Sequence, residues 1–207
     1  MADGTSRMKV LIGCERSRVV ASAFEAQGWE ALSCDLEPAR RHGAHYQGDV
    51  FDVIDYPWDL VILHPPCTHT AVSGARHFDA KRMDDRYYAG LSFIMALVRR
   101  SAHIPAFALE QPVSVLASVW RKPDQIIQPW QFGHGETKAT CLWLRGLPKL
   151  RPTEIVEGRE ARIHRMPPSP DRAEKRSETF TGIAEAMATQ WTDYLRRQRG
   201  LALEKAA

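Results

Sequence analysis

The 207-residue chain is long enough to bury one full core, and with 44% hydrophobic and 26% charged residues it has the make-up of a soluble globular protein, which excludes a disordered chain. No stretch approaches the roughly 18 apolar residues of a membrane span, and Met1 to Arg7 lack the apolar segment of a secretory signal, so a cytoplasmic address is expected. The net charge of +3 is too small to indicate nucleic acid by itself, although Lys and Arg are concentrated after residue 145.

Residues 8–13 (MKVLIG) read as a short buried strand, and 17–27 as a helix with apolar spacing at Val19, Val20, Ala23 and Phe24, closed by Gly28. A second strand over 29–34 ends at Asp35, and 36–46, with its Pro and Gly, reads as loop. Gly48-Asp49-Val50 precedes a strand over 58–63. A polar loop over 68–78 is followed by a helix over 84–100 with Tyr88, Leu91, Ile94, Met95 and Val98 on one side, and then by a strand over 104–109. This alternation of strand and helix predicts parallel pairing with right-handed crossovers. Beyond Pro112 follow a short helix, the segment 125–132, a strand over 140–144, an irregular basic stretch over 145–177 and a helix over 181–197. No internal repeat or low-complexity linker interrupts a single domain over 1–207.

Four cysteines, Cys14, Cys34, Cys67 and Cys141, are far apart and form no CxxC pair, which argues against a disulfide framework or a structural zinc site. Cys67 stands out because it follows His64-Pro65-Pro66 at the end of a strand, where an α/β sheet gathers its chemistry, and a thiolate is the strongest side-chain nucleophile near neutral pH. Cys141, inside TCLWL, reads as an inert core thiol. His64, Cys67 and His69 are zinc-ligand types, but a site would need a fourth partner and relaxed spacing across two prolines; no metal is expected, and loop hydrogen bonding accounts for both histidines.

Glu110, where the strand over 104–109 leaves the core, has two readings. Desolvation there can raise its pKa and let it donate a proton to a ring nitrogen, or it is a helix-entry carboxylate stabilised by the helix after Pro112. Gly13 and Asp35 close the first two strands, the place where nucleoside-binding α/β folds grip ribose hydroxyls. Asp49 suits either an adenine amino group or a turn.

Taken in order, these segments resemble the DNA cytosine-5 methyltransferases over most of the chain. VLIGCERS over 10–17 stands where that family has its cofactor loop, Ser33-Cys34-Asp35-Leu36 where it has the ribose-binding acid, and Gly48-Asp49-Val50 where it meets the adenine. HPPCTHTAVSG over 64–74 is similar to the nucleophile loop, and FALEQP over 107–112 to the segment that carries the catalytic acid. GHGETKAT over 133–140 resembles the arginine-bearing segment before a late strand, with Lys138 and Thr140 in the places of its two arginines, and TGIAEA over 181–186 resembles the closing segment.

The resemblance implies a Rossmann-like α/β class I methyltransferase fold, mostly parallel with a late antiparallel strand, and S-adenosylmethionine as cofactor. It implies Cys67, Glu110 and Lys138 as catalytic residues, and Gly13, Cys14, Glu15, Ser17, Asp35, Leu36, Asp49 and Pro65 around the cofactor. Pro66, Ser73, Gly74, Thr140, Arg162 and Arg165 would meet the substrate, duplex or single-stranded DNA, with Arg159 and Arg172 as further phosphate contacts, against a solvated arginine-rich loop as the plain alternative.

The chain departs from the family at Arg16-Ser17-Arg18, where glycines are usual and side chains would crowd the methionine end of the cofactor, and in having only 145–177 in place of a target-recognition lobe. Its brevity resembles the methyltransferase-like proteins of phages and prophages, which implies a modification role. Two alternatives stand at this point: a methyltransferase-like nucleic-acid-binding protein without turnover, suggested by Arg18, and an amino-methyltransferase, whose loop shares the two prolines but needs an amide or carboxylate first and an aromatic fourth.

Overall fold

The computed structural model describes residues 7–169 and 172–200. The segment from Met1 to Ser6, on which the expectation about a signal partly rests, lies outside them. Seven strands form one sheet in the order β3-β2-β1-β4-β5-β7-β6: β1 (Lys9–Gly13), β2 (Glu30–Asp35), β3 (His45–Gln47), β4 (Leu60–Leu63), β5 (Ala106–Pro112), β6 (Gln125–Ile127) and β7 (Thr140–Arg145). Pairing is parallel from β3 across to β5, and β7 runs antiparallel to both β5 and β6. This is a Rossmann-like α/β sheet, mostly parallel, with the late reversed strand that was expected.

The central strands are continuous apolar runs because both faces of the sheet are covered. Alternation sends Val10, Ile12, Leu60, Ile62, Ala106 and Ala108 against helices α1 (Val19–Ala26) and α7 (Thr181–Gln198), while Leu11, Val61, Leu63, Phe107, Leu109 and Trp143 face the other way. That second face is covered by α3 (Arg86–Arg100) through Ile94 and Leu97. Each fully buried aliphatic contributes roughly 1.5–3 kcal/mol. The indole N–H of Trp29 donates to Thr192 Oγ1 at 2.7 Å, tying the β2 entry to α7.

Several local expectations change. The loop over 36–46 gives way to β3 at its end, a three-residue strand too short and polar to show a period. Part of the loop over 68–78 is a 3-10 turn (Val72–His77) leading into α2 (Phe78–Met83), and α3 begins only at Arg86 because Asp85, at φ 64°, breaks the two apart. On α3 it is Tyr87 that is buried, edge-on to Phe78 at 5.4 Å, whereas Tyr88 is exposed. After β5 comes α4 (Leu116–Val119), and the stretch over 145–177 contains two short helices, α5 (Arg162–Arg165) and α6 (Arg172–Ser177).

Arg18 contradicts its expected placement. Its side chain is fully buried and turns away from the strand ends into the gap between β2 and the loop before β3. There it donates to the carbonyls of His42 and Ala44 and to Ser33 Oγ, and pairs with Glu25 at 2.5 Å. Ser33 lies on the α1 face of the sheet, as its pairing with Ile12 requires. A guanidinium with this many fixed acceptors is held as a structural cross-link, so Arg18→Met is expected to lower stability by about 3–5 kcal/mol, the cost of breaking a buried pair and stranding its acceptors. Urea unfolding checks this, and a loss under about 1 kcal/mol would show that the cross-link is dispensable.

Candidate active site

The chain runs outward from β1 through β2 to β3 and then returns to β4 on the other side of β1, so the order of strands reverses between β1 and β4. Such a switch point opens a crevice beyond the carboxyl ends of the two strands. Gly13 ends β1 there, and its carbonyl accepts from His64 N at 2.9 Å, carrying the β1–β4 ladder one step past the strand. Any side chain at Gly13 would collide, since a Cβ would fall 2.6 Å from Leu63 Cδ2 and 2.9 Å from Val50 Cγ2.

The loop after β1 keeps two residues, Cys14 at φ 60° and Arg18 at φ 57°, in the left-handed region that glycine occupies freely. Its carboxylate and hydroxyl do not face outward. Glu15 is buried, and its oxygens accept from Val20 N at 2.7 Å, Ala21 N at 3.3 Å and Ser17 Oγ at 3.0 Å. Val20 N and Ala21 N are unpaired amides of the first turn of α1, which Arg18 does not cap, so Glu15 does the capping from outside the helix. Burial nonetheless pushes the Glu15 carboxyl up, against the lowering effect of the His64 charge and these bonds. Glu15 and Ser17, expected to line a cofactor, are therefore committed to starting α1.

Asp35, Leu36 and Asp49 form the rim. Asp35 Oδ1 accepts from Glu37 N at 3.0 Å, and the Asp35 carbonyl accepts from Gly48 N at 2.9 Å, which brings Asp49 alongside. Leu36 is 73% exposed beside this acid, an apolar surface at the mouth of the crevice. Asp49 Oδ1 caps the next turn through Phe51 N at 2.9 Å, in keeping with its turn reading. Burial first, then the charges of Asp35 and Asp49, push the Cys14 thiol far up and the Cys34 thiol up to about 12, so both are inert near neutral pH.

The loop that carries Cys67 is clamped from three sides. Gln111 Nε2 donates to the carbonyl of Pro65, while Thr70 Oγ1 donates to Gln111 Oε1 at 3.2 Å. Thr70 N and Ala71 N both donate to the Cys67 carbonyl, at 3.1 and 2.9 Å. The following residues zip onto the chain leaving β5, Val72 N to the Val113 carbonyl and Val115 N to the Thr70 carbonyl, each at 3.0 Å. Buried Lys81 reaches from α2 to the Thr68 carbonyl at 2.5 Å. Pro65 is buried under this clamp, whereas Pro66 and Ser73 are exposed and Gly74 half-buried in the turn beyond.

Alternation along β5 divides the labour of its last residues, because Glu110 and Gln111 point to opposite faces. Gln111 holds the loop, and Glu110 is left to face the crevice. Its Oε2 accepts from His64 Nδ1 at 3.2 Å. Burial pushes the Glu110 carboxyl up, but the His64 hydrogen bond, the His64 charge and the Lys138 charge together hold it below the usual carboxylate range. This corrects the expected raised pKa: the buried imidazole supplies the compensation that a sequence does not display.

Cys67 is half-buried, and burial followed by the negative charge of Glu110 pushes its thiol up, partly offset by Lys138 and Arg176. Lys138 Nζ donates to the Glu178 carbonyl at 3.3 Å and lies 5.8 Å from the centre of the Phe180 ring. Cys67, Glu110, His64 and Lys138 thus form one electrostatic group. Cys141 is buried beside it, its thiol pushed up to about 11 by burial and Glu110, which agrees with an inert core thiol.

Two residues expected to meet substrate are engaged elsewhere. Thr140 is buried in β7, and its hydroxyl donates to the Lys138 carbonyl at 3.2 Å, so it shapes the Lys138 turn. Arg162 pairs with Glu136 and, at 3.6 Å, with Glu160, leaving little charge to spare for phosphate. Arg165 lines an open hollow of about 800 Å³ together with Arg159, which stacks on Trp130 at 3.7 Å. Glu178 accepts from Arg41 at 3.0 Å, and Arg41 also donates to the Ser17 carbonyl, which brings the entry to α7 back to the loop after β1.

Gln111, Thr70 and Lys81 escaped the sequence reading. Only Gln111 carried a visible signal, its place directly after Glu110. Among the described residues no three of His, Cys, Asp and Glu group to hold a metal ion, and no helix is long and apolar enough to cross a membrane. No family model and no curated protein matches the sequence.

Proposed function

We propose that this protein transfers a methyl group to carbon 5 of cytosine in DNA. The observation that carries the reading is the placement of Cys67 and Glu110 at the carboxyl ends of neighbouring strands, in one electrostatic group with Lys138 and with the loop of Cys67 clamped by Gln111. A lone reactive cysteine needs no such carboxylate beside it, and the negative charge of Glu110 makes the thiolate harder to form. A ring nitrogen that must be protonated as the thiolate adds gives the pair a purpose.

The β1–β4 crevice fits the cofactor implied by the resemblance. Gly13 lets Leu63 and Val50 pack close against its floor, Asp35 suits ribose hydroxyls, and exposed Leu36 and Asp49 suit an adenine face and edge. Bound there, S-adenosylmethionine supplies an electrophilic methyl group. The thiolate of Cys67 adds to carbon 6 of the base, Glu110 holds ring nitrogen 3, and Lys138 offsets the charge of both. In duplex DNA the base must first leave the stack, at a cost of a few kcal/mol that basic contacts from Arg159 and Arg165 help to offset.

The reading without turnover leaned on Arg18 crowding the cofactor, and the burial of Arg18 on the other side of the loop removes that support. Tritium transfer from labelled S-adenosylmethionine to duplex DNA, single-stranded DNA, RNA and free deoxycytidine triphosphate tests the proposal. Label is expected on 5-methylcytosine after digestion of one of the DNA substrates. Label on an exocyclic nitrogen, or no cofactor binding by calorimetry at millimolar concentration, would contradict it.

A further inference from the structure

Adding a thiolate to cytosine requires a proton at ring nitrogen 3, yet the Glu110 carboxyl is held ionised and has none to give. His64 lies against it. The imidazole is nine-tenths buried, its Nδ1 sits 3.2 Å from Glu110 Oε2, and its Nε2 is buried with no hydrogen-bond partner among the described residues. Hydrogen bonding to loop backbone, the plain reading of this histidine, does not describe either nitrogen. Its charged neighbours are Glu15 from the loop after β1 and Glu110 from β5, with Lys138 acting on Glu110 from the turn before β7.

We infer that His64 is a positioning and proton-relay residue that acts through Glu110, supplying the proton that Glu110 passes to nitrogen 3 of cytosine. This rests on the functional reading above. In the step, the sulfur electron pair of Cys67 forms the S–C6 bond, the C5–C6 π pair moves between C5 and C4, and the C4–N3 π pair settles on nitrogen 3. Glu110 first takes the Nδ1 proton of the imidazolium, leaving neutral His64, and then passes that proton to nitrogen 3, returning to carboxylate. When solvent later takes the carbon 5 proton, its bonding pair re-forms the C5–C6 π bond, the C6–S bond breaks with its pair leaving on the thiolate, and the nitrogen 3 proton returns by the same route, so the relay ends as it began.

Release of tritium from mixed-sequence DNA labelled with [5-³H]cytosine, in the presence of S-adenosylmethionine, reads the addition step across pH. In the wild-type chain the addition needs a thiolate and a relayed proton together, so the logarithm of the rate is expected to bend in its pH profile. His64→Asn keeps a donor toward Glu110 but has no proton to relay. It is expected to be about 100-fold slower at pH 7 and to climb with unit slope, without the bend. His64→Gln repeats the test should thermal unfolding show that the first variant does not fold. Variants within threefold of wild type, or slower with an unchanged profile, would overturn the relay and leave the functional reading intact. A wild-type chain that releases no tritium would overturn both.

Discussion

Glu110→Gln is expected to lower methyl transfer roughly 10³-fold, within the range for loss of a positioned acid–base group, while making Cys67 react faster with iodoacetamide at pH 8. The two effects have opposite signs because the carboxylate has two roles. In the proposed mechanism it delivers the proton to the ring, which an amide does not do, and its negative charge helps to hold the Cys67 thiol above its ordinary range, after burial. A raised thiol pKa means that thiolate is scarce at pH 8 and rises about tenfold per pH unit until the thiol titrates. Removing the neighbouring charge lowers that pKa and raises the thiolate fraction several-fold. Lys138→Met is the matched control: loss of its positive charge should slow alkylation. Mass spectrometry of the Cys67 peptide reads both rates. Slower alkylation in Glu110→Gln would contradict the proximity of the two groups.

Cys67→Ala is expected to remove methyl transfer by a factor on the order of 10⁴ or more, since a covalent route has no substitute nucleophile. The other thiols cannot take over. Cys34 and Cys141 are buried in the core, and burial and nearby carboxylates push Cys14 far out of the reactive range. The Cys67 substitution should leave the fold intact, because the clamp on its loop runs through the backbone of residues 65, 67, 68 and 70–72 and through the side chains of Gln111, Thr70 and Lys81. Unchanged urea unfolding together with lost turnover is the expected pattern, and retained turnover would remove Cys67 from the chemistry.

The sheet was legible because its strands are aliphatic runs with turn residues at their ends, and the alternation of strand and helix leaves few parallel topologies. The strand-end placement of Cys67 and Glu110 followed from the same runs. What surrounds them was not legible, for reasons that differ by residue. Arg18 reads as a side chain crowding the cofactor, and nothing in the sequence announces that the carbonyls of His42 and Ala44, Ser33 and Glu25 converge on it. Glu15 reads as a binding residue until the uncapped start of α1 appears beside it. The 3.6-residue period assigned α3 a face, yet Tyr87 and Tyr88 are adjacent and only packing on Phe78 decides which is buried. The His64–Glu110 pair joins residues 46 apart, and the lowered Glu110 pKa depends on that contact.

Trapping on an oligonucleotide that carries 5-fluorocytosine tests the central claim most directly, because fluorine at carbon 5 cannot leave as a proton and the adduct cannot be resolved. With S-adenosylmethionine present, the wild-type chain is expected to form a denaturant-resistant complex whose cross-linked peptide contains Cys67, and Cys67→Ala is expected to form none. An adduct that persists in Cys67→Ala, or one that maps to another residue, would contradict the assignment of Cys67 as the nucleophile.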